Sequence, residues 1–227
     1  MGGKTMHRFA MQFAQFCQTE LDLTTQSDYG YQSLSVCILD CVYSLRAKYY
    51  SVTVPIVERY AARYMNGDPY AAGDTVSMLL GRMEEQGGPE AFATNVLGNH
   101  QKLGGKRKIP KETVCHQLAR YLRDLHIETL GDFQAFESQE ILEIVIRAVD
   151  GLGDAGANYL FMLAGDPDRC KPDVHIHHCV RDACGCDLSG DECQQLFTDT
   201  VELLRWTYPN LTVRCLDGII WRKYQGA

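Results

Sequence analysis

Val149-Asp150-Gly151-Leu152-Gly153-Asp154-Ala155-Gly156-Ala157-Asn158-Tyr159-Leu160 is the stretch that sets the fold. Before it, Ile141, Leu142, Ile144, Val145 and Ala148 recur at helical spacing, and after Gly153 the run to Ala164 is helical again. Two helices joined by a tight turn with two glycines make a hairpin whose backbone can approach a partner closely. The unpaired N–H groups at the start of the second helix, together with its dipole, favour an anion, and a DNA phosphate fits. An ordinary helix–turn–helix joint has the same appearance, and a lone Gly-x-Gly does not separate the two readings.

Downstream lies Asp166-Pro-Asp-Arg-Cys170-Lys171-Pro172-Asp173-Val174-His175-Ile176. Pro172 restricts the residue before it and ends a loop, which places Asp173 at a helix N-terminus as a cap. Upstream, helical spacing runs through 6–18 (Met6, Phe9, Ala10, Phe13, Cys17) and 32–48 (Leu34, Cys37, Ile38, Cys41, Val42, Leu45). Thr53-Val-Pro55 opens a helix that runs to about Met65, Asn66-Gly-Asp-Pro is a turn, and Asp74 or Thr75 caps the next helix. Gly87-Gly-Pro starts a shorter one, and 98–109, rich in Gly and Lys, reads as a loop. Lys111–Leu125 is amphipathic, 129–135 is short, and Ser138 or Gln139 opens a helix to Val149. Ser189-Gly-Asp-Glu192 is a capping box, and 211–225 is a last apolar pattern. With no alternating strand and no internal repeat, the expected fold class is all-α.

Composition sets the class of environment. The chain has 227 residues, 45% hydrophobic and 22% charged, as in ordinary globular proteins. No apolar run is long enough to cross a membrane, and the N-terminus lacks a secretory signal, so a cytoplasmic location and no membrane partner are expected. The ten cysteines are then read as reduced thiols, with Cys17, Cys37 and Cys41 packing as small hydrophobes. The net charge of −7 argues mildly against nucleic acid, but local basicity suffices, and Lys102-Leu-Gly-Gly-Lys106-Arg107-Lys108-Ile-Pro-Lys111 supplies it.

Taken together, the hairpin and Asp173-Val174-His175-Ile176 resemble the helix-hairpin-helix (HhH-GPD) DNA glycosylase superfamily. The glycines, the Asp-x-His element and the separation of 18 residues from Ala155 to Asp173 agree jointly. The strict resemblance covers 138–182. It implies a two-lobed all-helical fold with a cleft between lobes, one approximately 31–135 and the other 1–30 plus 136–227. It makes Asp173 the catalytic carboxylate, which stabilises an oxocarbenium-like sugar and orients water. Gly151, Gly153, Asp154, Ala155, Gly156 and Lys171 become the phosphate-binding set, and His175 and Asn158 structural support. Bifunctional members carry a nucleophilic Lys where this chain has Ala155, so the implied activity is monofunctional, hydrolytic and without lyase chemistry. Val42-Tyr43-Ser44-Leu45-Arg46 is matched to the family's intercalating element, with Arg46 as the plug. Tyr43, Tyr49, Tyr50 and Tyr159, with Tyr31, are the aromatic candidates to stack a flipped base.

The run His175-Ile-His177-His178-Cys179, with Cys184-Gly-Cys186 and Cys193, invites a metal reading. The family's four-cysteine spacing for an iron–sulfur cluster is absent, so no metal and no cofactor are expected. The expected partner is double-stranded DNA; no obligate protein partner is inferred, and a monomer is the default. The substrate is a damaged or modified base, with a glucosylated hydroxymethylcytosine of phage DNA as one candidate in antiviral defence. Housekeeping repair of alkylated or oxidised bases, a non-catalytic hairpin DNA binder, and a metal-dependent regulator built on residues 175–193 stay open.

Overall fold

Helix α1 (Gly3–Glu20) places Phe9, Ala10, Phe13 and Cys17 on one buried face. It opens a computed structural model that describes residues 3–25, 30–104 and 108–225. Eight helices follow within 30–165: α2 (Leu34–Ser44), α3 (Val54–Tyr64), α4 (Val76–Glu85), α5 (Pro89–Phe92), α6 (Lys111–Asp124), α7 (Leu130–Ala135), α8 (Gln139–Arg147) and α9 (Gly153–Leu163). The last three are α10 (Val174–Cys184), α11 (Gly190–Leu204) and α12 (Val213–Tyr224). The protein is mostly helical, as its periodicity predicts.

Two departures from the expected elements matter. The helix expected over 32–48 ends at Ser44 and is followed by a π-helical turn, Tyr49–Thr53. Within 98–109, β1 (Lys102–Leu103) pairs antiparallel with β2 (Ile109–Pro110), in the register Lys102↔Pro110 and Leu103↔Ile109. Two residues per strand are too few to show an alternating pattern. Lys106 and Arg107 of the basic run lie outside the described residues.

Local capping chemistry fixes the helix starts. Thr75, not Asp74, caps α4 by accepting from the Met78 N–H. Thr129 and Ser189 form reciprocal capping boxes with Asp132 and Glu192, and Ser138 caps α8. Each such cap is worth about 1 kcal/mol. Asp74 is instead buried, accepting from Ser35 Oγ at 2.6 Å and pairing with Arg82.

The chain forms two compact units, Gly30–Gly165 and Met1–Tyr29 with Asp166–Ala227. The resemblance groups 136–165 with the C-terminal segment; its contacts place it with 30–135. The reason is packing. Every residue from Gly156 to Ala164 is buried, and α9 packs on α2 and α8. Helix α2 is buried on all sides, as expected for a helix without a polar face. In the other unit, α1 packs on α11 and α10, and α10 on α12. Phe13 meets Phe197 with ring centroids 5.3 Å apart, and both side chains are fully buried. Burial of each such ring stabilises the unit by about 2–3 kcal/mol.

Candidate functional site

Asp173 is the N-cap of α10 and is half-buried. Its Oδ1 accepts from the His175 N–H at 2.9 Å and the Ile176 N–H at 3.3 Å. Both capping bonds fall on one oxygen, so the cap orients the carboxylate without using Oδ2. The carboxylate borders a depression of about 360 Å3 lined also by Pro172, Val174, His177, His178 and Arg181. His177 and Arg181 lie four and eight residues beyond Asp173, on the same helical face. Arg181 is held by Asp187 through Nε at 3.0 Å and Nη2 at 2.6 Å, which offsets its charge.

The loop before Asp173 is held from behind. Asp217, on α12 and 3% exposed, accepts the Lys171 N–H at 2.7 Å, and Gln194 accepts the Cys170 N–H at 3.0 Å. Burial, and then the negative charge of Asp173, push the Asp217 carboxyl up to about 8. A neutral acid thus sits behind an N-capping carboxylate, and environments that differ in this way can separate acid and base roles. Sequence reasoning missed Asp217. The available signal was a lone acid inside the apolar run Leu216-Asp217-Gly218-Ile219-Ile220. His175 packs edge-on against Trp221 at 6.4 Å, a structural setting.

The hairpin belongs to the other unit, Gly30–Gly165. Gly151 (φ +86°) and Gly153 (φ +63°) are exposed in left-handed conformations that only glycine adopts cheaply. The first four N–H groups of α9 belong to Gly153, Asp154, Ala155 and Gly156. Gly156 is buried, and a Cβ there would lie 2.8 Å from Leu152 Cδ1 and 3.3 Å from Leu45 Cδ1. Its missing side chain therefore serves packing, and only its backbone remains for a ligand. Asp154 pairs with Arg147, which also binds Glu143 at 2.8 Å and reaches the Asn158 Oδ1 at 3.4 Å. Arg147, also missed, ties α8 to α9, and Asn158 is one of its supports.

The expected base pocket is corrected at several positions. Tyr43 is wholly buried in α2 and cannot stack a base; its ring faces the Lys111 ammonium at 5.7 Å. Tyr159, 7% exposed, donates to Asp40 Oδ1 at 2.8 Å. Tyr49 and Tyr31 donate to Asp40 Oδ2 at 2.7 and 2.9 Å. Three phenols thus hydrogen-bond to a fully buried carboxylate; Tyr159 is buried with it, whereas Tyr31 and Tyr49 stay half-buried. Tyr50, edge-on to Tyr49 at 5.6 Å, is 64% exposed and keeps an accessible ring. Arg46 lies beyond α2, exposed, with its Nη1 donating to the Gly104 carbonyl at 2.8 Å, so it serves as an anchor for the segment around β1.

All ten cysteines are free thiols, and eight are buried. Burial raises the thiol of Cys193 to about 12; its Sγ lies 3.8 Å from His177 Nδ1. Among the described residues, no group of three or more metal-capable side chains is gathered. No described helix is long and apolar enough to cross a membrane.

A family model matches residues 10–225, nearly the whole chain. The chain belongs to DUF8548, a domain of unknown function. No curated protein and no solved structure matches it.

Proposed function

We propose that this protein is a monofunctional DNA glycosylase of HhH-GPD type that excises a damaged or modified base. The observation that carries the reading is Asp173: a carboxylate fixed by two helix N–H groups on one oxygen, beside an open depression. Excision breaks the C1′–N bond, and the electron pair leaves with the base, which takes up a proton from solvent, balanced by the water proton that the carboxylate later returns to solvent. The sugar becomes oxocarbenium-like, and the charge developing at C1′ is what a preoriented carboxylate stabilises. Water then adds at C1′, its proton passes to the carboxylate, and an abasic site remains. The exposed Gly151–Gly153 turn and the N-terminus of α9 are the backbone-gripping element. At the family's nucleophile position, Ala155 has no amine to form a Schiff base, so the abasic product leaves uncleaved.

The test uses Asp173→Asn, because Asn caps a helix as well as Asp while removing the charge. Wild type and variant are incubated with plain, uracil-, alkyl-, oxidised- and glucosyl-hydroxymethylcytosine-containing duplexes. Alkali-dependent breaks from wild type only are expected. Breaks without alkali contradict the monofunctional assignment, and equal binding with equal silence across the panel favours a non-catalytic DNA binder.

A further inference from the structure

We infer that His177 is a second catalytic group beside Asp173: its Nε2 lone pair, fixed in place through Cys193, accepts a hydrogen bond from the water that attacks C1′. The inference rests on the glycosylase reading of Asp173 and adds a partner for that water.

Two unused atoms border one depression. The cap of α10 occupies only Oδ1 of Asp173, and Oδ2 accepts no hydrogen bond among the described residues. His177 stands one helical turn further along, half-buried, and lines the same depression of about 360 Å3. Its Nδ1 is turned inward, 3.8 Å from the Sγ of the fully buried Cys193. Nε2 therefore points away from Cys193, and it has no hydrogen-bond partner among the described residues. The guanidinium on the same face is already engaged, since Arg181 is bound twice by Asp187. Of the groups on this face of α10, Asp173 Oδ2 and His177 Nε2 are the pair left to act together.

Cys193 decides which nitrogen of His177 carries the proton. Its Sγ makes two contacts, with His177 Nδ1 at 3.8 Å and with the Leu188 carbonyl at 4.0 Å. A carbonyl only accepts, so the single thiol hydrogen goes to Leu188, and the sulfur in turn accepts from the His177 Nδ1–H. Burial keeps that hydrogen on the sulfur by pushing the thiol up to about 12. With its proton on Nδ1, neutral His177 presents a bare lone pair at Nε2. A water in the depression can then give one O–H to Asp173 Oδ2 and the other to His177 Nε2, which leaves an oxygen lone pair for C1′. On addition the C1′–O bond forms and the O–H bond facing Asp173 breaks, its proton passing to the carboxylate. The hydrogen held by His177 stays on the oxygen and becomes that of the C1′ hydroxyl, so His177 orients the water and takes no proton. Two acceptors fix a water that one acceptor leaves free to rotate, and orientation of this kind is worth about 100-fold in rate.

The test reads tautomer and rate separately. Proton–nitrogen NMR spectra of the imidazoles of the full chain at neutral pH, with His177 assigned by its loss in His177→Gln, locate the proton. It is expected on Nδ1 in wild type and in Cys193→Ser, which keeps one donor and one acceptor, and shared between both nitrogens in Cys193→Ala. A proton on Nε2 in wild type overturns the inference, as does an unchanged His177 signal in Cys193→Ala. Rate is read as single-turnover release of base from the modified duplexes of the excision panel. His177→Phe is expected to lose about 100-fold in rate at unchanged duplex affinity, whereas His177→Gln, whose Oε1 can stand in for Nε2, stays within about 10-fold of wild type. A wild-type rate in His177→Phe overturns the catalytic role, and so does an equal loss in both His177 variants, which marks a structural one. A wild type that releases no base from any duplex is a different result: it removes the glycosylase reading and the role of His177 with it, while the NMR result still decides the tautomer.

Discussion

Replacing Asp217 by Asn changes how stability depends on pH, and the size of the change follows from burial. The folded carboxyl is pushed up to about 8, whereas an unfolded Asp titrates near 3.9. Between those values the folded state binds more protons than the unfolded state, so the contribution of Asp217 to stability falls as pH rises. The contribution is fully present below the unfolded pKa and is lost as pH climbs through the folded one. From pH 5 to pH 8 the loss is about 3–4 kcal/mol on this linkage. The amide introduced by Asp217→Asn cannot titrate, and its carbonyl oxygen can still accept the Lys171 N–H. Urea unfolding of both proteins at pH 5, 6, 7 and 8 therefore gives a difference, wild type minus variant, that drops by about 3–4 kcal/mol across the series. Parallel curves, agreeing within about 0.5 kcal/mol at every pH, would refute the claim that Asp217 is held as a neutral acid.

Three other outcomes follow from the same geometry. Asp173→Ala removes the cap of α10 and lowers stability by about 1 kcal/mol, whereas Asp173→Asn leaves it within a few tenths, as read by denaturant midpoints. Gly156→Ala forces a methyl to within 2.8 Å of Leu152 Cδ1, so it costs about 1–3 kcal/mol; a neutral result in thermal unfolding would contradict the close α9 packing. Thiol labelling of the native protein modifies Cys186 and Cys215, the two half-buried cysteines, well before the eight buried ones, with mass spectrometry identifying the sites.

What can be read from sequence divides along a physical line. Caps at Ser138, Ser189 and Asp173 are legible because each bonds to a backbone N–H two or three residues away, whereas the capping box of Thr129 with Asp132 emerges only in the structure. The Asp40 network is not. Its phenols come from Tyr31, Tyr49 and Tyr159, and the last is separated from it by 119 residues. Tyr43 looks like one aromatic among several, yet it sits on a helix buried all round, where no polar face marks an exposed side. The hairpin is recognisable, but its allegiance to 30–135 is not, because that is decided by the contact of α9 with α2. Asp217 and Asp40 share a usable signal: a single carboxylate inside an otherwise apolar helical run, which burial forces to find partners.

The central claim is that Asp173 removes a base. Its most direct test is the abasic-site yield from wild type and Asp173→Asn on duplexes carrying plain, damaged and glucosylated bases. The account predicts alkali-labile sites at one class of modified base with wild type, and none with the variant at unchanged stability. Equal yields from both proteins would contradict it.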